Sequence, residues 1–251
     1  PAQPDMADFP FAAFGITSII LFGAYTLFGI TGFGQSIIAM PFLVMVASLR
    51  FFVPLVALLD GVFVLWNVAK FRREVNYREL IALVPTTTIG IIAGATIFLI
   101  ISEKILLLSL GVLITCHGVY CILQRGQEPQ FSRIMAVPLG LLAGALSATF
   151  GTGGPLYVAY LSGRIRDKGE LRATIVQLLL LTALLRIGIF GVGGFYADPK
   201  IWVWWALSLP FCFAGVKLGH YLHDRLKSES LLMLVYVILV IAGIMLIIKN
   251  I

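Results

Sequence analysis

Two short clusters in this chain combine residue types that can bind an anion: Gly29-Ile30-Thr31-Gly32-Phe33-Gly34 and Gly151-Thr152-Gly153-Gly154-Pro155. Glycine turns the chain without a Cβ clash and lets backbone N–H groups approach a ligand closely. A helix starting after Gly154 presents free N–H groups and the positive end of its dipole, and Pro155 suits its first position, where no N–H is needed. Thr31, Gln35, Ser36, Thr149 and Thr152 add donors without fixed charge. The candidate binding set is therefore Thr31, Gly32, Phe33, Gly34, Gln35 and Ser36 at the first cluster. At the second it is Thr149, Gly151, Thr152, Gly153, Gly154 and Pro155. The competing reading is close helix packing through small residues, which is common in membranes.

Three further polar residues lie inside apolar runs. Arg186 falls in the run 171–194, about 22 Å from its inner end at 1.5 Å per residue. A guanidinium at that depth is expensive and can hold an oxyanion through two parallel hydrogen bonds, although snorkelling to the outer headgroups would also explain it. Asn67 occupies the matching place in the first half of the chain, so the two bracket a central site. Asp60 falls near the midplane of its run, where a carboxylate is protonated, paired or functional. Pairing with Arg186 and a proton-coupling role are both open. Lys217, His220 and His223 read as inner-interface residues, and His117 as a hydrogen-bonded helix residue.

Enzyme and metal signatures are missing. There is no H-E-x-x-H and no G-x-x-x-x-G-K-[ST], and Cys116, Cys121 and Cys212 form no C-x-x-C pair. No catalytic residue, metal site or cofactor is expected, and the cysteines read as small buried hydrophobes.

The elements that hold these residues follow from composition. Of 251 residues 60% are hydrophobic and only 12% charged, half or less of what a soluble domain carries. Such a chain cannot cover a water-facing surface, which excludes a nucleic-acid-binding domain or an ordinary cytosolic enzyme. The chain reads as an all-α integral membrane protein. Apolar runs fall at 9–31, 35–49, 51–70, 79–101, 105–124, 134–150, 155–163, 171–194, 201–222 and 231–248. Six are long enough to span a bilayer alone. The runs after the glycine clusters are short and predict half-helices in hairpins. Ten segments result; a rival topology of eight merges each hairpin into one broken segment.

With the N-terminus outside, the inner loops hold Lys70, Arg72, Arg73, Arg78, Arg125, Arg133, Arg164, Arg166, Lys168, Arg172, Arg225 and Lys227. The outer loops hold only Arg50, Lys104, Lys200 and Lys249, the asymmetry expected of a cytoplasmic membrane protein. The halves also match. An offset of 119 pairs Gly32 with Gly151, Gly34 with Gly153 and Asn67 with Arg186. An offset of 125 pairs Pro85 with Pro210, Gly90 with Gly215 and Gly94 with Gly219, and Ser102-Glu103 matches Ser228-Glu229 one residue later. Five segments per half give halves of opposite orientation, the inverted-repeat plan of many secondary transporters. The expected divisions are an N-terminal tail at 1–8, a first repeat at 9–124, a connector at 125–132 and a second repeat at 133–251. Within the tail, residues 1–5 read as foreign to the native protein, with Met6 as the native start.

The two glycine motifs, Gly29-Ile-Thr-Gly-Phe-Gly-Gln-Ser-Ile-Ile-Ala-Met-Pro41 and Phe150-Gly-Thr-Gly-Gly-Pro155, resemble those of the sulfite exporter TauE/SafE family of membrane permeases. The resemblance covers essentially the whole chain, with Phe33 and Gln35 departing from the glycine-rich pattern. It implies transport of sulfite, a sulfonate or another small sulfur-containing anion across a bacterial-type inner membrane, with the lipid bilayer and the anion as partners. An anion channel, and an intramembrane enzyme or scaffold, are the alternatives. Oligomeric state is not legible.

Overall fold

The computed structural model describes residues 11–70, 75–123, 131–223 and 228–250. Every regular element among them is helical: α1 Phe11–Thr31, α2 Gln35–Val46, α3 Leu49–Lys70, α4 Tyr77–Ile100, α5 Glu103–Leu123, α6 Ala136–Phe150, α7 Gly154–Ser162, α8 Lys168–Val192, α9 Pro199–His223 and α10 Ser228–Asn250. The reason is the solvent. In hydrocarbon a backbone must satisfy its own N–H and C=O groups, and long apolar helices do so within one segment. Large apolar side chains such as Ile81, Ile100 and Val192 are exposed on the outer faces, as lipid contact requires. The protein is an all-α integral membrane protein.

Seven of the described helices are long and apolar enough to cross a bilayer. One more appears than the run lengths predict, because a 3₁₀ turn at Arg133–Met135 leads directly into α6 and lengthens that segment to 18 residues. The helices following the glycine clusters are short, as expected. α2 has 12 residues and α7 has 9, or about 18 Å and 14 Å of rise. The side chain of Asn67, the Ser228-Glu229 side chains, and residues 1–10, 71–74 and 124–130 of the tail, loop and connector lie outside the described residues, as do Arg225 and Lys227.

The helices form two compact units that interleave the sequence halves. The first comprises residues 1–52, 101–126 and 202–251; the second comprises 53–100 and 127–201. In the second unit α4 runs alongside α6 in the same direction. Gly90 lies against the Leu141 carbonyl and Gly94 against the Ala145 carbonyl, too close for any Cβ. In the first unit α9 runs alongside α1 in the same way, with Gly215 on the Phe22 carbonyl and Gly219 on the Thr26 carbonyl. Leu141 and Ala145 lie 119 positions after Phe22 and Thr26, and the glycines differ by 125, the two offsets read from the sequence. Also in the first unit, α5 and α10 pack in opposite directions: Gly111 meets Gly243 and Ile247, whereas Gly118 meets Tyr236 and Val240.

Candidate functional site

The second glycine cluster breaks the chain between α6 and α7. Gly151 adopts a left-handed φ of 76° and its N–H donates to the Ser147 carbonyl at 2.9 Å, capping α6. Thr152 N–H reaches the Leu146 carbonyl at 3.3 Å, and Gly153 lies flat on the Ala143 carbonyl with no space for a side chain. α7 then starts at Gly154 with Pro155 in its first turn, and no side chain caps it. Pro155 has no N–H and the Tyr157 N–H donates to the Gly153 carbonyl at 3.3 Å, which leaves the Gly154 and Leu156 N–H groups without an intrahelical acceptor. Thr152 beside this start is 3% exposed, and its hydroxyl makes no hydrogen bond among the described residues. Thr149 behaves differently: its hydroxyl donates to the Ala145 carbonyl at 2.8 Å and lies 3.2 Å from the Gly94 carbonyl, fastening α6 to α4.

The first cluster has the same backbone logic in its own unit. Gly32 has φ 84° and donates to the Phe28 carbonyl at 2.7 Å; Gly34 has φ 87° immediately before α2. The Thr31 hydroxyl is held between the Leu27 carbonyl at 2.8 Å and the Phe33 carbonyl at 2.7 Å. Gln35 and Ser36 open α2 and are both buried. Phe33 is half-buried at the tip.

Within the second unit Arg186 of α8 and Asp60 of α3 meet. Arg186 Nη1 donates to Asp60 Oδ2 at 3.3 Å, and both side chains are almost fully buried. Arg186 Nη2 approaches the Val53 carbonyl at 3.5 Å, while Nε is buried with no hydrogen-bond partner among the described residues. Snorkelling is thereby excluded, because the guanidinium is directed into the unit. The Tyr157 hydroxyl on the first turn of α7 is near enough to feel the Arg186 charge and lies beside Thr87 of α4. The two hydroxyls are each other's neighbours, close to a hydrogen bond but outside ideal geometry.

A second polar cluster went unnoticed in the sequence. Buried Glu79 on the first turn of α4 accepts hydrogen bonds from Tyr160 at 2.9 Å and Arg164 at 2.9 Å. The Glu79 hydrogen bond is the main cause of a raised pKa at Arg164, in the turn after α7. Asn76 accepts from the Glu79 N–H at 3.1 Å and donates to Glu170 at 2.8 Å. These contacts tie the end of α7 to the starts of α4 and α8. Glu79 is only the third residue of its helix, where a carboxylate ordinarily reads as compensation for the dipole. Among the described residues no group of three His, Cys, Asp or Glu could hold a metal ion.

Broken half-helices and a buried intramembrane charge in a helical membrane fold are features that many secondary transporters share. The model of the sulfite exporter TauE/SafE family matches residues 17–246, and the chain belongs to that family. It is also 27% identical over 177 residues to the "Probable inner membrane transporter protein TsaS" of Comamonas testosteroni, an alignment covering 68% of this chain and 72% of that protein. No solved structure matches.

Proposed function

We propose that the chain is a secondary transporter that exports a small sulfur-containing anion, sulfite or an organosulfonate, from the cytoplasm by alternating access. The observation that carries this reading is the combination, within one unit, of an uncapped helix start at Gly154–Pro155 and a buried Arg186 directed inward. Both favour negative charge, one through backbone donors and dipole, the other through a formal charge. Gly151, Thr152, Gly153 and Gly154 form the proposed anion contact. Thr31 to Ser36, with Asn67, are its proposed counterpart in an inverted repeat. Matching glycine contacts on α1 and α6 support the repeat. An inside-negative potential alone favours anion exit by about 2.3 kcal/mol per charge per 100 mV. Export therefore requires no carboxylate network, and Asp60 serves to hold Arg186.

Efflux of sulfite from proteoliposomes at a set membrane potential tests this. Saturable efflux that rises with the potential is expected. An absence of flux for sulfite and for every sulfonate tried would remove the sulfur-anion assignment. Single-channel currents far above carrier turnover would replace the carrier by a channel.

A further inference from the structure

The half-helix α7 is held at its two ends by different means. At its start Gly153 lies against the Ala143 carbonyl and Pro155 sets the first turn. At its end the hold is polar. Tyr160 and Arg164 both donate to the buried Glu79 carboxylate at 2.9 Å, and the Phe131 ring stacks on Tyr160 with centroids 6.5 Å apart. Leu83, Leu161, Ile165, Ile175 and Leu178 pack with Tyr160 in one buried apolar cluster. This plug stands between the basic end of α7 and Thr152 at its start, which is 3% exposed. Glu79 has a second cation in reach. Arg133 precedes α6, and its Nη2 donates to the carbonyl of Arg78, the residue next to Glu79, at 3.2 Å. The Arg133 charge is felt at both Glu79 and Tyr160. The two arginines ride on different elements. Arg133 leads into α6, which Gly90 and Gly94 lock onto α4, so it keeps its place near Glu79 whatever α7 does. Arg164 follows α7 and must leave Glu79 if the end of α7 swings away. Exchange of one arginine for the other spares Glu79 the cost of a buried charge without a partner. Both arginines are exposed, so either can be released into water.

We propose that Glu79 is the latch of a cytoplasmic gate: paired with Arg164 it holds the end of α7 shut against α4, and paired with Arg133 it lets that end part and opens the way to the second glycine break. The gate presupposes the transporter reading above and adds how its site is reached from the cytoplasm, the side to which the basic residues assign this end. Glu79, Arg133 and Arg164 are positioning residues, acting through the place of α7 rather than on the anion. The two arginines then have opposite effects. Loss of Arg164 favours the open form, and loss of Arg133 favours the closed one.

Labelling of the break reads the gate with no substrate present. The full chain, with Cys116, Cys121 and Cys212 replaced by Ala and carrying Thr152→Cys, is placed in inside-out vesicles and treated with a membrane-impermeant maleimide. Reaction should be slow with the latch intact, because position 152 is buried. Since the rate follows the open fraction, Arg164→Gln should speed it about tenfold or more and Arg133→Gln should slow it. Arg164→Lys should stay near the parental rate, because it keeps a cation for Glu79. A merely structural cluster would speed labelling in both Gln variants or in neither, and either result overturns the gate. Sulfite efflux separates this outcome from the reading beneath it. Arg164→Gln should lower the KM on the cytoplasmic side and Arg133→Gln should raise it. Saturable efflux with labelling equal in every variant would remove the gate and leave the transporter. Opposite labelling effects in a chain that moves no sulfite would leave the gate and remove the substrate.

Discussion

Arg186 and Asp60 are tolerated in an apolar unit because each moderates the cost of the other. Removing one partner of a buried pair leaves a charge without compensation and costs about 3–5 kcal/mol, whereas replacing both with neutral groups is often close to neutral. Arg186→Gln and Asp60→Asn should therefore each lower the unfolding free energy in detergent by an amount of that order. The double variant should recover most of the loss, a coupling that a thermodynamic cycle of unfolding measurements reads directly. Strictly additive losses would show that the 3.3 Å contact is energetically idle. Transport should not recover with stability, since both variants carrying Gln at 186 lack the guanidinium. The two charges were legible in the sequence because an ionised residue in an apolar run has no ordinary explanation. The approach of Tyr157 to Thr87 was not, because the two lie on different helices and a hydroxyl in an apolar run looks like any helix residue bonding its own backbone, as Thr88 does to the Val84 carbonyl at 2.8 Å.

Helix pairs in this fold are joined through glycine rather than through large interlocking side chains. Lipid gives apolar surfaces no reason to seek each other, so close backbone approach must supply the contact energy. Gly94 on α4 and Gly219 on α9 each lie on a carbonyl of the neighbouring helix, whereas Gly188 on α8 has nothing within 4 Å of where its Cβ would be. Gly94→Ala and Gly219→Ala should each destabilise the protein by about 1–3 kcal/mol, as overpacking does. Gly188→Ala should be neutral or slightly stabilising through helix propensity. Thermal unfolding of the three variants in one detergent checks the ranking, and equal effects at all three would contradict the packing account. Helix identities, the two breaks and the shortness of α2 and α7 were readable from apolar run lengths and glycine positions. The pairing of α4 with α6 was not, since P-x-x-x-x-G-x-x-x-G marks a close contact without naming its partner. The Glu79–Tyr160–Arg164 cluster escaped for a related reason: its members are separated by 81 and 85 positions and meet only once α7 folds beside α4.

For the whole molecule the open quantity is direction across the membrane, and charge supplies the argument. The antiparallel packing of α5 on α10 bears on the segment count. If the chain reverses at Gly151–Gly153, four helices of alternating direction separate α5 from α10 and the two run in opposite directions. A break that continued onward would leave three and make them parallel. The observed direction fits a reversal at the second break, as the ten-segment reading expects there. With ten, the basic residues near α8 assign its ends: Arg164, Arg166, Lys168 and Arg172 cluster at its start, and Lys200 follows its finish. The positive-inside rule then puts Lys168 in the cytoplasm and Lys200 outside. Both are exposed, so both can report. In a background with Cys116, Cys121 and Cys212 replaced by Ala, Lys200→Cys should react with a membrane-impermeant maleimide in intact cells. Lys168→Cys should react only after the membrane is opened. The opposite pattern would invert the molecule and place the basic start of α8 outside, against the positive-inside rule. Labelling of both sites in intact cells would instead mean that α8, at 25 residues the equal longest helix among those described, does not separate the two compartments.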